Sequence, residues 1–219
     1  PIVTTIDLSS SLDMQVAQGS IQADLDGERQ ATILFPKGLT ATMTLPNGDE
    51  QPLSVLNVRA TEYTVGENGS NAMPGELPTF SGYTYAVELS VDEAIEAGAT
   101  TVTFNQEIPL YVDNFLEFPV GGIVPVGWYD FETSSWVPSK NGRIIKILNI
   151  TDGKAALDID GTGTIASTES LNTLGITELE LKQLAITFNE GDSLWRSPIS
   201  HLTPWDCNWP FGPPNDAEL

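Results

Sequence analysis

Apolar residues in this chain recur mostly at every second position, in short runs broken by Gly, Pro, Asn and Asp. A half-buried strand imposes that period, because successive side chains point to opposite faces. Gln30–Pro36 (QATILFP) reads as a strand ending in a Pro-Lys-Gly turn. Leu39–Leu45 alternates toward Pro46-Asn47-Gly48-Asp49, a hairpin signal. Leu53–Val65 follows as a long strand with a bend near Ala60, and Gly66–Thr79 as a polar loop. Gly82–Ser90 alternates again, and Val91–Gly98 has room for one or two helical turns closed by Gly98. Thr101–Phe104, Ile108–Val112, Ile123–Tyr129, Ser135–Val137 and Arg143–Ile150 complete the strand-rich part.

After residue 150 the texture changes. Lys154–Asp158 is a short strand running into an Asp/Gly loop. In Thr177–Phe188 the positions Leu179, Leu181, Leu184, Ala185 and Phe188 follow helical spacing, and Thr177 with Glu180 makes a capping box. Ser193–Leu202 reads as a final strand despite Pro198. The expected fold is mostly β: an antiparallel β-sandwich, or two, with one short α-helix near 177–188. A division into 1–115, an N-terminal sandwich, and 116–219, a β subdomain with the loop and helix, stays open beside one continuous domain.

The charge narrows the function. The 219 residues include 30 Asp and Glu against 9 Lys and Arg, a net charge of −21. That excludes a nucleic-acid surface and attraction to anionic membranes. It favours cation binding or plain solubility. One cysteine, Cys207, precludes an intrachain disulfide, and it reads as a small buried residue. One histidine, His201, excludes a multi-histidine metal site. No apolar run is long enough for a membrane span. The chain begins at Pro1 and ends in a Pro-rich tail, so both ends read as cut sites in a longer polypeptide.

Two motifs carry chemistry. Asp158-Ile-Asp-Gly-Thr-Gly-Thr-Ile-Ala-Ser-Thr-Glu169 fits a twelve-residue calcium loop. Calcium takes six to eight oxygens, so acceptors recur at alternate residues around a tight turn. Asp158, Asp160 and Thr162 occupy positions 1, 3 and 5, Gly163 the sharp turn, Thr164 position 7 and Glu169 the acid at position 12. Thr162 is neutral where Asp or Asn is usual, which lowers ligand charge, and Asp152 is a candidate extra ligand. The alternative is an ordinary Asp-Gly turn. The second motif is His201-Leu202-Thr203, the order used in self-cleavage. There Thr203 is the nucleophile, His201 the base and Leu202 the acyl donor. The alternative is a strand-end histidine packed on Trp205 or Trp209.

Trp128, Trp136, Trp195, Trp205 and Trp209 could form a carbohydrate platform or simply pack. Asn68-Gly-Ser70 and Asn149-Ile-Thr151 match glycosylation sequons.

Two resemblances follow from longer stretches. Ala31-Thr-Ile-Leu-Phe-Pro-Lys-Gly, Tyr85-Ala-Val-Glu-Leu-Ser-Val, Ala99-Thr-Thr-Val-Thr-Phe-Asn-Gln-Glu-Ile-Pro-Leu and Ile199-Ser-His-Leu-Thr resemble the β-sandwich of zonula occludens proteins, netrin receptors and ankyrins. In some relatives a His-Phe-Ser at the matching strand is a self-cleavage site; this chain has His-Leu-Thr. Pro125-Val-Gly-Trp-Tyr-Asp, Trp136-Val-Pro-Ser-Lys-Asn-Gly-Arg, Leu157-Asp-Ile-Asp-Gly-Thr-Gly and Leu194-Trp-Arg-Ser-Pro-Ile-Ser-His-Leu-Thr-Pro-Trp-Asp-Cys-Asn-Trp-Pro-Phe-Gly-Pro-Pro resemble a module preceding the repeats of bacterial RHS-repeat proteins. That resemblance implies a secreted or cell-surface parent. The chain would be its stalk, cap or adhesive module, a non-enzyme, and the Asp158–Glu169 loop adds the expectation that Ca2+ stabilises it. Its partners would be other domains of the same polypeptide, or a surface protein or glycan.

Overall fold

A computed structural model describes residues 2–63, 65–66, 69–78 and 84–208. The N-terminal part contains β1 (Thr4–Asp7), β2 (Met14–Gln18), β3 (Gln22–Asp24), β4 (Gly27–Arg29), β5 (Ala31–Pro36), β6 (Ala41–Thr44), β7 (Glu50–Leu53) and β8 (Val55–Glu62). A 3-10 turn at Gly69–Ala72 precedes β9 (Tyr85–Val91), α1 (Asp92–Ala97) and β10 (Thr101–Asp113). Then come β11 (Ile123–Val124), β12 (Val126–Asp130), β13 (Ser135–Pro138), β14 (Gly142–Thr151) and β15 (Lys154–Asp158). The chain continues with α2 (Thr168–Thr173), α3 (Glu178–Thr187), β16 (Ser193–Leu202) and β17 (Pro204–Cys207).

The strands form two facing antiparallel sheets, apart from β3 and β4, which pair with each other as a separate hairpin. Sheet A has the order β1-β8-β9-β17-β12-β13. Sheet B runs β11-β14-β16-β10-β5-β2, with β15 on β14 and the β6–β7 hairpin on β10. A division at 115/116 would cut both sheets, because β9 pairs with β17 and β10 with β16. The strand expected over Leu53–Val65 is interrupted at Ser54 for the same kind of reason. β7 belongs to the hairpin on sheet B, and β8 crosses to sheet A between β1 and β9.

Sheet B is covered on both faces, which explains why β5 is buried without a break from Ala31 to Phe35. Ile33 and Phe35 of β5 point into the core between the sheets, with Leu110, Val112 and Trp195. Leu34 points the other way, with Tyr111, Ile145 and Leu194, against Leu184 of α3 and Ile176. Burying one such side chain contributes about 1.5–3 kcal/mol. The molecule is therefore three layers deep here: sheet A, sheet B and a helical cover.

The cover is also held by charge. Thr177 caps α3, and the reciprocal contact from Glu180 completes the expected capping box. Glu180 then accepts from Arg196 of β16, at 2.6 Å from Nε and 3.0 Å from Nη2, and from the Tyr111 hydroxyl of β10. Arg196 also donates to the Leu174 and Gly175 carbonyls between the two helices. All three polar groups are buried.

Prolines in the middle of sheet B look anomalous until the pairing is traced. Pro109 of β10 lies opposite Pro198 of β16. Pro109 falls between the segments of β10 that pair with β5 and with β6, and Pro198 lies beyond the part of β16 that pairs with β14. Each missing N–H therefore sits where the outer ladder is interrupted. Between Thr103 and Ile108 the β10 register also slips, so Phe104–Glu107 bulge opposite Ser200. Beyond that bulge the sheets open into a mouth that holds His201.

Candidate functional sites

The aspartate loop begins where β15 delivers Asp158 to the strand end, almost fully buried. Its carboxylate accepts three backbone N–H groups: Asp160 and Gly161 on Oδ1 at 3.1 and 2.8 Å, and Gly163 on Oδ2 at 2.8 Å. Asp160 Oδ1 accepts from the Thr162 amide and hydroxyl, and Thr162 Oγ1 lies 2.7 Å from Thr164 Oγ1. The side-chain oxygens of Asp160, Thr162 and Thr164 are thus held together, whereas position 7 of a calcium loop offers its backbone carbonyl. Gly163 makes the sharp turn with φ +72°, a conformation other residues rarely adopt.

The loop is also pinned from behind. A Cβ on Gly161 would lie 2.4 Å from the Val120 carbonyl oxygen, and one on Gly121 would lie 2.4 Å from the Asp160 carbonyl carbon. Two backbones pass here at a distance only glycine permits.

The remaining predicted ligands are elsewhere. Glu169 stands exposed in the first turn of α2, a helix capped by Ser167. Asp152 sits in the β14–β15 turn, at the far end of β15 from Asp158. Six extended residues put it roughly 20 Å away. Among the described residues no three Asp, Glu, His or Cys side chains come together as a metal group. The five predicted ligands do not converge.

The His201–Thr203 segment is the joint between the sheets. β16 ends in sheet B at Leu202, the chain bends at Thr203, and β17 starts in sheet A at Pro204. The His201 ring is stacked on Trp205 at 4.8 Å and meets Trp128 edge-to-face at 4.6 Å. Its Nδ1 lies 3.1 Å from Thr203 Oγ1. Burial between the two indoles lowers its pKa to about 4, so the imidazole is neutral at pH 7. Thr203 Oγ1 is also 3.5 Å from the Pro204 carbonyl oxygen, which follows it in the chain.

The tryptophans divide by position. Trp195 and Trp205 are buried in the core between the sheets. Trp136 is half-buried and donates from Nε1 to the Gly75 carbonyl at 3.1 Å. Trp128 is half-buried at the mouth, and Trp209 lies outside the described residues. Asn68 is also outside them, while Asn149 accepts from its own sequon's Thr151 hydroxyl at 3.0 Å. Cys207 is buried, and burial pushes its thiol up to about 12, so no thiolate forms near neutrality.

Two features escaped the sequence reading. The Arg196–Glu180–Tyr111 cluster left one local trace, an arginine next to Leu194 and Trp195 in the middle of a strand. The groove at the mouth left none, because its walls come from four separate stretches of chain. No family model matches this chain, and neither the curated proteins nor the solved structures contain a significant match.

Proposed function

We propose that this chain is a non-catalytic structural module of a larger exported protein, and that calcium tightens its Asp158–Glu169 loop. The observation that carries the calcium part is the gathering of Asp160, Thr162 and Thr164 oxygens around the positive-φ Gly163. Asp158 already closes the neck of the loop, and its Oδ2, which accepts a single N–H, retains a lone pair for a cation. Glu169 would complete the shell by approaching from α2. The structural part of the reading rests on the third layer. The loop leads directly into α2 and α3, which Arg196 and Glu180 fasten to sheet B.

A ligand bound only by the folded state stabilises by RT ln(1 + [L]/Kd). At ten times Kd that is about 1.4 kcal/mol, and in a chain of this size about 3–5 °C in Tm. The test is thermal unfolding in millimolar calcium and in chelator, for the parent chain and for Asp160→Ala. Asp158→Ala is the poorer probe, since it strips a cap from three amides with or without metal. The expected result is a calcium-dependent rise in Tm that Asp160→Ala removes. An unchanged Tm in calcium rejects the metal.

One contact favours a second reading, self-cleavage. With His201 Nδ1 at 3.1 Å, the Thr203 hydroxyl has a neutral base in reach. Oγ1 would attack the Leu202 carbonyl carbon while its proton passes to Nδ1. The Leu202–Thr203 C–N bond would then break, and the freed amine would take the proton, leaving an ester. Water would hydrolyse that ester to a Leu202 carboxylate and a free Thr203 amino terminus. Long incubation followed by denaturing electrophoresis decides it, with Thr203→Val as control. An intact band from the parent chain discards this reading.

A further inference from the structure

The mouth of the sandwich is a groove of about 670 Å³, between the β6–β7 turn of sheet B and the β12–β13 turn of sheet A. That volume lies within the range of small-ligand sites. Its lining combines two kinds of surface. Trp128 and Phe131 supply aromatic faces, and Phe131 is 54% exposed. Thr44, Thr101, Thr203 and His201 supply hydroxyls and an imidazole. The Thr44 and Thr101 hydroxyls make no hydrogen bond among the described residues, although each could both donate and accept. His201 uses Nδ1 on Thr203, and its Nε2 makes no hydrogen bond among the described residues. Free donors and acceptors beside an accessible ring need a ligand with an apolar face and a hydroxylated edge.

We propose that this groove binds a neutral saccharide. The weakly positive C–H face of a sugar ring suits the negative face of an indole or phenyl ring. Its hydroxyls meet Thr44, Thr101 and His201 Nε2. Charge decides against acidic sugars and phosphorylated ligands. Asp130 and Glu132 stand at the rim, and the Thr133 hydroxyl and the Glu132 amide hold the Asp130 carboxyl below its usual range. The whole chain carries −21. An anion would therefore meet repulsion both near and far. The proposal is independent of the calcium loop, which lies outside the groove's lining, and it requires no cleavage at Thr203.

The test is retention on immobilised neutral oligosaccharides of glucose, galactose, mannose and N-acetylglucosamine, with uronic-acid and sialylated chains as the contrasting arm. It is run with and without chelator. The expected result is retention by at least one neutral oligosaccharide, unaffected by chelator. Phe131→Ala and Thr101→Val would each weaken that retention about tenfold. Phe131 and Thr101 have exposed or half-exposed side chains outside the central core, so these variants keep the fold, whereas Trp128→Ala would also remove packing against the core. A Trp128 indole N–H resonance that shifts on titration with the retained sugar locates the site. Absence of neutral-sugar binding, equal retention on acidic chains, or Phe131→Ala and Thr101→Val variants that bind like the parent would each overturn the proposal.

Discussion

The two sheets each bury a carboxylate on the face turned away from the other sheet, and the two acids have opposite surroundings. Glu180 lies against the outer face of sheet B and is 2% exposed, with a guanidinium, a tyrosine hydroxyl and its own cap amide around it. Asp206 lies on the outer face of sheet A, between the inward-facing Trp205 and Cys207, and is 3% exposed. The side chain of Asn208 donates to its Oδ2, while Oδ1 is buried with no partner among the described residues. No cation among the described residues pairs with it, and burial raises its pKa to about 7. Equal burial thus yields a fastener in one place and a titrating group in the other. What separates them is the partner set, because a buried charge costs several kcal/mol unless it is paired and hydrogen-bonded.

The largest effect should come from breaking the paired site. Glu180→Leu leaves Arg196 buried without its carboxylate and should cost about 3–5 kcal/mol. The double variant Glu180→Leu with Arg196→Met removes both charges and should recover most of that loss, since apolar replacements of buried pairs are often neutral. Denaturant unfolding measures both. A double variant as unstable as the single one would mean that the pair supplies net stability beyond mutual compensation.

The unpaired site should show itself through pH, in combination with His201. Asp206 moves from 3.8 in the unfolded chain to about 7 in the folded one, and His201 from 6.5 to about 4. Between pH 4 and 6.5 the folded state holds its proton on Asp206 and the unfolded state holds one on His201. The two counts match, so these groups together leave stability level across that window. Each variant should expose the other's slope. Asp206→Asn removes the folded-state proton, so stability is lost as pH falls from 6.5 toward 4. His201→Phe removes the unfolded-state proton, so stability is lost as pH rises from 4 toward 7. One unbalanced proton over that window amounts to about 3 kcal/mol. Parallel pH profiles for the parent and both variants would contradict this.

Much of this architecture was legible in the sequence, and the reason is locality. The alternating runs, the hairpin at Pro46–Asp49, the close of α1 at Gly98 and the cap Thr177–Glu180 are all set by neighbouring residues. The tight turn at Gly163 was legible for the same reason, and its φ is positive as its position demands. Glu169 was assigned by counting to position 12, but Ser167 starts a helix there and carries it out to the surface. Two classes of feature were not local. Tyr111 meets Glu180 across 69 residues, and the mouth joins Thr44, Thr101, Trp128 and His201. Alternation shows which face of a strand a residue occupies, but it does not show what the opposite element brings to that face.

An intermediate case tests whether partner set and burial together set the scale. Arg29 is wholly buried, with its guanidinium 4.5 Å above the Phe115 ring, and it pairs with two acids of unequal exposure. Glu62 is 4% exposed and Asp24 is 33% exposed, both at 2.7 Å. The contacts are equally short, so distance alone predicts equal losses on truncation. Burial predicts otherwise. Glu62→Ala leaves a desolvated cation short of its buried partner and should cost about 2 kcal/mol. Asp24→Ala opens a partly solvated contact that water can replace, and should cost less than about 1 kcal/mol. Arg29 holds the Asp24 carboxyl down at about 2, so the Asp24 contribution is present above pH 3.8 and is lost as pH falls toward 2. Denaturant midpoints at pH 7 separate the two variants. Equal costs would show that the short contact, and not its shielding from water, is what holds the β3–β4 hairpin in place.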